Sequence, residues 1–176
     1  MNLDVILLFD ATAVAIAGAV VDVQQHRIPN WLTYPAIGAG VLLRGYYFGW
    51  HGVLTAIGGC LLAGGIVFLF YAVRAMGAGD LKLMAALGAI VGLHHIVYVL
   101  LGTGIAGGVL ALIYAAYRRR LRATFSNVGS LLKFHASAGL HAHPELNLDN
   151  SDALRMPYGL AIAAGTLYGF ISAWGR

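Results

Sequence analysis

From Val53 to Val73 the chain runs without a charged side chain, and this stretch limits the possible folds more than any other feature. Its length is about that of an α-helix crossing a bilayer, roughly 20 residues. Comparable runs cover about Asp4 to Val21, Trp31 to Phe48, Leu81 to Leu93, His95 to Tyr117 and Met156 to Trp174. None alternates polar and apolar residues as membrane-barrel strands do, so helices remain the way to satisfy the backbone in lipid. Only 10% of the 176 residues are charged, against about 25% in a soluble domain. The expectation is an all-α polytopic membrane protein of about six spans, forming one membrane-embedded domain over residues 1–176. Many of the 24 glycines lie inside the apolar runs, where small residues let helices approach closely. Gly104 and Gly108 have the GxxxG spacing, which predicts a helix contact within the protein.

Charge orients the spans. With the N-terminus outside, nine of the eleven basic residues fall on one side: Arg27, Arg74, Lys82, Arg118, Arg119, Arg120, Arg122, Lys133 and Arg155. Arg44 and Arg176 remain on the other. Basic residues accumulate on the cytoplasmic side of membrane proteins, so the richer side is read as the inside. A competing reading fuses the fourth and fifth runs into one helix from Leu81 to Tyr117. It separates Arg74 and Lys82 from the Arg118 cluster, which the charge rule disfavours. The first run holds Asp4 and Asp10 with no basic residue before Arg27. Without the positive n-region of a signal peptide, it is expected to be retained. Residues 118–155 read as a cytoplasmic loop, with a short surface helix near Val128 to Phe134 and an arginine cluster suited to anionic lipid.

Two carboxylates stand out against this background. Asp22 ends the first run, within Val21-Asp22-Val23-Gln24-Gln25-His26-Arg27-Ile28-Pro29-Asn30, and Asp80 opens the fourth, within Met76-Gly77-Ala78-Gly79-Asp80-Leu81-Lys82-Leu83. Two crossings separate them, so they return to the same face. An ionisable group at an apolar border is costly and therefore a functional candidate. Two close carboxylates do not easily ionise together and share a proton. The ionised partner can then take a proton from water attacking a carbonyl, while the protonated one hydrogen-bonds the carbonyl oxygen. The bland alternative is that each aspartate caps a helix or pairs with Arg27 or Lys82. Pro29 biases Ile28 to an extended backbone, and Asn30 is expected to cap a helix beginning at Trp31.

The run Gly77-Ala78-Gly79-Asp80-Leu81-Lys82-Leu83 resembles the GxGDxKL motif of type IV prepilin peptidases, and Asp22 with Arg27-Ile28-Pro29-Asn30 resembles that family's first aspartate region. Met84-Ala85-Ala86-Leu87-Gly88-Ala89 and Arg155-Met156-Pro157-Tyr158-Gly159 are similar to further family segments. The likeness implies an inner-membrane aspartic endopeptidase that removes the basic leader of prepilins or pilin-like subunits at the cytoplasmic face. It implies Asp22 and Asp80 as catalytic residues, with Gly77, Gly79, Lys82, Arg27, Pro29 and Asn30 supporting the motifs or the substrate. The small size is similar to the Flp-pilus (Tad-type) branch. Longer members carry a further cytoplasmic segment, often with four metal-binding cysteines, and also N-methylate the new terminus. This chain has one cysteine, Cys60, so methylation is not carried over. It also has Leu160 where many small members have proline.

Other residues yield less. Gly77-Ala78-Gly79 is no nucleotide loop, since no strand precedes it, and no nucleic-acid partner is expected. His141, His143 and Glu145 have a ligand-like spacing, but Pro144 and the polar surroundings fix no geometry, so neither metal nor cofactor is expected. Glu145, Asp149 and Asp152 are expected to assist capture of a basic leader. Asp10 lies about 18 Å along the helix from Asp22. That excludes it from the pair, and a partner such as His94 or His95 is expected. The competing function is a catalytically inactive scaffold or channel-like component of a pilus or secretion assembly. A channel would line several spans with polar positions, which the apolar runs do not.

Overall fold

The computed structural model describes residues 3–25, 27–139, 141 and 156–174. The described elements are α1 (Leu3–Gln25), α2 (Asn30–Ala72), α3 (Ala78–Tyr117), α4 (Leu121–Ala138) and α5 (Gly159–Trp174). The protein is an all-α membrane protein. α1, α2 and α3 are each long and apolar enough to cross a bilayer, and α5 is a shorter apolar helix. Large apolar side chains such as Leu42, Leu61, Leu101 and Ile105 stand outward, as lipid-facing positions do. Tyr46 and Trp50 at one end, and Trp31 and Tyr34 at the other, are also exposed, at levels that suit headgroups.

α2 and α3 are not straight rods. α2 breaks at Gly49 (φ 61, ψ −147) and α3 at Gly92 (φ 76, ψ 174), conformations nearly closed to residues with a Cβ. At each break the chain doubles back. After Gly49 it returns so closely that Gly52 packs on the Arg44 carbonyl. Gly59 then lies against Gly88, backbone to backbone, so the absent side chains set this contact. After Gly92, Val99 packs on Gly169 and Gly107 on Tyr158, so the second limb of α3 runs antiparallel to α5. A fused, continuous helix from Leu81 to Tyr117 is therefore ruled out, and the break falls at Gly92 rather than in the following Leu93-His94-His95. The core gathers where these limbs meet, around Leu7, Leu8, Leu83, Met84, Leu87, Ile96 and Ile162.

Three expectations need correction. Gly104 and Gly108 meet nothing within 4 Å of a would-be Cβ; their helical phase turns them outward, and Gly102 packs on Gly165 of α5 while Gly107 packs on Tyr158 just before it. The segment after Arg118 is more ordered than a loop with a short helix, since α4 runs for 18 residues. Asn30 is no cap: Pro29 takes the N-cap position with an extended backbone (φ −75, ψ 149), and the Asn30 side chain is used elsewhere. His143, Glu145, Asp149, Asp152 and Arg155 lie outside the described residues.

At the end of the bundle where α1 begins, the Arg44 guanidinium is buried. It donates from Nη1 to the carbonyls of Val91 at 2.7 Å and Ile90 at 3.3 Å, and from Nε to Thr55 Oγ1 at 3.2 Å. It pairs with Asp4 at 3.4 Å, and His95 Nδ1 stands 3.9 Å from the same carboxylate oxygen. Arg44 thus satisfies carbonyls freed by the break at Gly92. The histidine's described carboxylate neighbour is therefore Asp4, not Asp10. Asp4 and Asp22 are 18 residues apart on α1, about 27 Å, close to the roughly 30 Å of a bilayer's hydrocarbon core.

Candidate active site

The opposite end of the bundle holds both sequence-singled carboxylates. α1 and the first limb of α3 run antiparallel, with Gly18 packed on the Leu83 side chain. Asp22 lies one turn beyond Gly18, and Asp80 one turn before Leu83. The two aspartates therefore reach the same level, within electrostatic range of each other.

Each carboxylate is held by a backbone N–H. Asp22 is 8% exposed, and its Oδ2 accepts a hydrogen bond from Gly159 N–H at 3.0 Å. This bond ties α1 to the first residue of α5 across 137 positions. Gly159 has no room for a side chain: a Cβ would stand 3.0 Å from Ala19 Cα and 3.1 Å from Asp22 Oδ2. Asp80 is half-buried at the third position of α3 and accepts from Gly77 N–H at 3.3 Å through Oδ2, the half of a capping box that a glycine N-cap permits. Tyr158, the residue before α5, lies within electrostatic range of Asp80, so the entry to α5 presents one residue to each aspartate.

The connection from α1 to α2 closes the site from the side. Ile28 is buried, and a Cβ on Gly79 would stand 3.2 Å from the Ile28 backbone nitrogen. Gly79 thus lets the extended Arg27-Ile28-Pro29 strap lie on the start of α3. Arg27 itself is exposed. Lys82 turns away from the carboxylates: its Nζ donates to Asn30 Oδ1 at 2.9 Å and lies 5.5 Å from the Tyr34 ring centroid. Lys82 and Asn30 therefore join α3 to α2 rather than reaching the pair. An open apolar groove of about 310 Å³ runs beside Asp22, lined by Ile16, Val20 and Val23 of α1 and by Leu160 and Ala163 of α5.

Of the residues singled out in the sequence, the structure gathers Asp22, Asp80, Gly77 and Gly79 at one place, with Pro29 in the strap and Asn30 and Lys82 one layer away. Sequence reasoning missed Gly159 as a partner of Asp22. Its signal was a glycine directly after Pro157-Tyr158 at the start of an apolar run. The arrangement suits water-activated hydrolysis, in which one carboxylate takes a proton from water and the other donates to the carbonyl oxygen.

Residues 10–112, which include both aspartates, match the type IV leader peptidase family. The chain belongs to that family. It is 37% identical over 120 residues to a prepilin leader peptidase/N-methyltransferase of Burkholderia pseudomallei strain 1026b, covering 65% of this chain and 38% of the relative. A protein of the same description from Aeromonas salmonicida strain A449 is 32% identical over 107 residues, covering 57% of this chain and 37% of the relative. The chain thus spans less than two-fifths of the length of these curated relatives. No solved structure matches it.

Proposed function

We propose that this member of the type IV leader peptidase family is an aspartic endopeptidase that cleaves the basic leader from type IV prepilins or pilin-like subunits. The observation that supports the reading most directly is that Asp22 and Asp80 flank the Gly18–Leu83 contact at one end of the bundle, each accepting from a backbone N–H. The apolar groove beside Asp22 suits the apolar helix that follows a prepilin leader. In this reading Asp22 and Asp80 are catalytic. Gly77 and Gly79 leave the approach to Asp80 narrow-walled, and Arg27, Pro29, Asn30 and Lys82 hold the strap that frames it.

The nine-to-two distribution of basic residues supports six passes through the bacterial inner membrane, with the N-terminus outside and the site toward the cytoplasm. Flp-type prepilins are the substrates proposed for this chain. The proposal covers cleavage alone. It is tested by co-expression with candidate prepilins, following subunit mobility and sequencing the new N-terminus. A subunit shortened at the leader boundary only when this chain is present supports it; unprocessed subunits across Flp-type and other type IV prepilins contradict it.

A further inference from the structure

α4 is the one described helix without a face packed into the bundle. Among the described residues it touches only α3, from which it emerges. The junction is sharp. α3 ends with Arg119 in the left-handed region (φ 54) and with Arg119 and Arg120 N–H groups donating back to the Ala116 and Ala115 carbonyls. That conformation is disfavoured for a residue with a Cβ, so the chain turns at a defined place rather than continuing along α3.

That place is set by length. His95 stands beside the Asp4–Arg44 cluster at one end of the bundle, and Tyr117 is 22 residues further along the same helical limb. At 1.5 Å per residue this is about 33 Å, the thickness of a hydrocarbon core plus a few ångströms. α4 therefore starts at the opposite bilayer boundary, the end that holds Asp22 and Asp80.

Its sequence suits that boundary. Leu121, Phe125 and Val128 follow a spacing of four and three residues, forming one helical stripe, and are 40%, 65% and 48% exposed. Arg122, Ser126, Ser130, Lys133 and Ser137 lie on the other side by the same geometry. Arg118, Arg119, Arg120 and Arg122 are all exposed at the turn. Arg118 rests on the Tyr114 ring, 5.5 Å from its centroid, and its Nη2 donates to the Tyr114 hydroxyl at 3.3 Å. An apolar stripe opposed by a polar face, with arginines at one end, is the pattern of a helix lying in a membrane interface. Planar guanidinium groups match phosphate oxygens pairwise.

We propose that α4 lies in the plane of an anionic leaflet, with Leu121, Phe125 and Val128 at the boundary between headgroups and acyl chains and with the Arg118–Arg122 cluster on lipid phosphates. The covering partner is the phospholipid surface, because covalent continuity with a membrane-spanning α3 places the stripe there and the adjoining charge is of the complementary sign. This inference rests on the membrane fold and not on the peptidase reading.

The test uses the full chain with Cys60→Ser, carrying an NBD-labelled cysteine at either Val128→Cys or Ser126→Cys. Each protein is placed in nanodiscs of phosphatidylcholine alone or with about one-third phosphatidylglycerol, a basic segment's affinity depending on anionic lipid. In the anionic discs, the label at 128 should be blue-shifted and quenched by shallow doxyl lipids, while the label at 126 remains open to acrylamide. Changing Arg118, Arg119, Arg120 and Arg122 to Gln should raise acrylamide access at 128 at least about fivefold, the effect expected from losing even one basic contact. Equal acrylamide access at 126 and 128 in both kinds of disc would overturn the proposal without reference to the arginine variant. So would shielding of 128 that ignores anionic lipid, that needs two copies per disc, or that appears only when a prepilin is added.

Discussion

At the residue scale, Gly159 leaves no slack beside Asp22: it donates to Asp22 Oδ2, and a Cβ on it would stand 3.0 Å from Asp22 Cβ. The two aspartates themselves were legible because isolated charges at the borders of apolar runs are expensive, and few such residues exist in this chain. The groups that aim them were not. A backbone N–H has no signature of its own, so Gly159 and Gly77 became visible as donors to Asp22 and Asp80 only once the helices were placed. Asn30 misled for a related reason. It is a good cap by type, but Pro29 already supplies an extended N-cap, and the amide is engaged by Lys82. Two predictions belong here. Gly159→Ala puts a methyl group about 3 Å from Asp22; it should lower kcat for leader cleavage by at least about tenfold, approaching the hundredfold that a 1 Å misplacement can cost. Gly104→Ala, with open space around it, should leave cleavage unchanged, and equal effects of the two substitutions would remove the steric argument. Lys82→Met loses an exposed hydrogen bond and a cation–ring contact, together about 0.5–1 kcal/mol. It should keep activity within a few-fold, whereas abolished cleavage with normal accumulation would place Lys82 in the chemistry.

At the scale of elements, hydropathy gave the apolar runs nearly residue by residue, and charge distribution favoured a break between the fourth and the fifth. What it left open was how so short a break is built. Gly92 answers this with a left-handed backbone, and Arg44 crosses from α2 to bind the carbonyls of Ile90 and Val91. No sequence signal announces that alliance, because Gly92 and Arg44 are 48 positions apart and Arg44 reads as an ordinary outer-end charge. Gly104 and Gly108 failed as a contact motif because spacing alone does not say which side of a helix faces its neighbour. The prediction at this scale concerns the break. Gly92→Ala combines a disfavoured backbone, about 1–3 kcal/mol, with a methyl 2.5 Å from the Arg44 guanidinium carbon. Its thermal transition should fall well below that of Gly58→Ala, whose methyl would meet only Leu93 side-chain atoms at 3.6–3.8 Å. Matching transitions for the two variants would mean that the break tolerates a side chain.

Across the whole molecule, the bundle has two polar ends of different character. One is a packed cluster around Arg44, Asp4 and His95; the other holds the two aspartates under the Arg27-Ile28-Pro29 strap and the start of α5. The proposed orientation predicts that cysteines replacing Gln25 and Ser126, in the Cys60→Ser background, react with an impermeant maleimide only from the cytoplasmic side, and one replacing the exposed His51, next to Gly52, only from outside. Labelling at position 25 from outside would invert the site relative to the proposed substrates. The common level of Asp22 and Asp80 was inferable from counting two crossings, but their approach to within electrostatic range depends on Gly18, Leu83 and Gly159, whose contacts no spacing announces. The central claim is that these two carboxylates work as one unit, and the rate of prepilin leader cleavage by aspartate-to-asparagine variants tests it most directly. Asp22→Asn and Asp80→Asn should each abolish cleavage while the protein accumulates normally, the double variant should be no worse than either single, as expected of groups acting together, and Asp10→Asn should remain active. Substantial cleavage by either Asp22→Asn or Asp80→Asn would contradict the account.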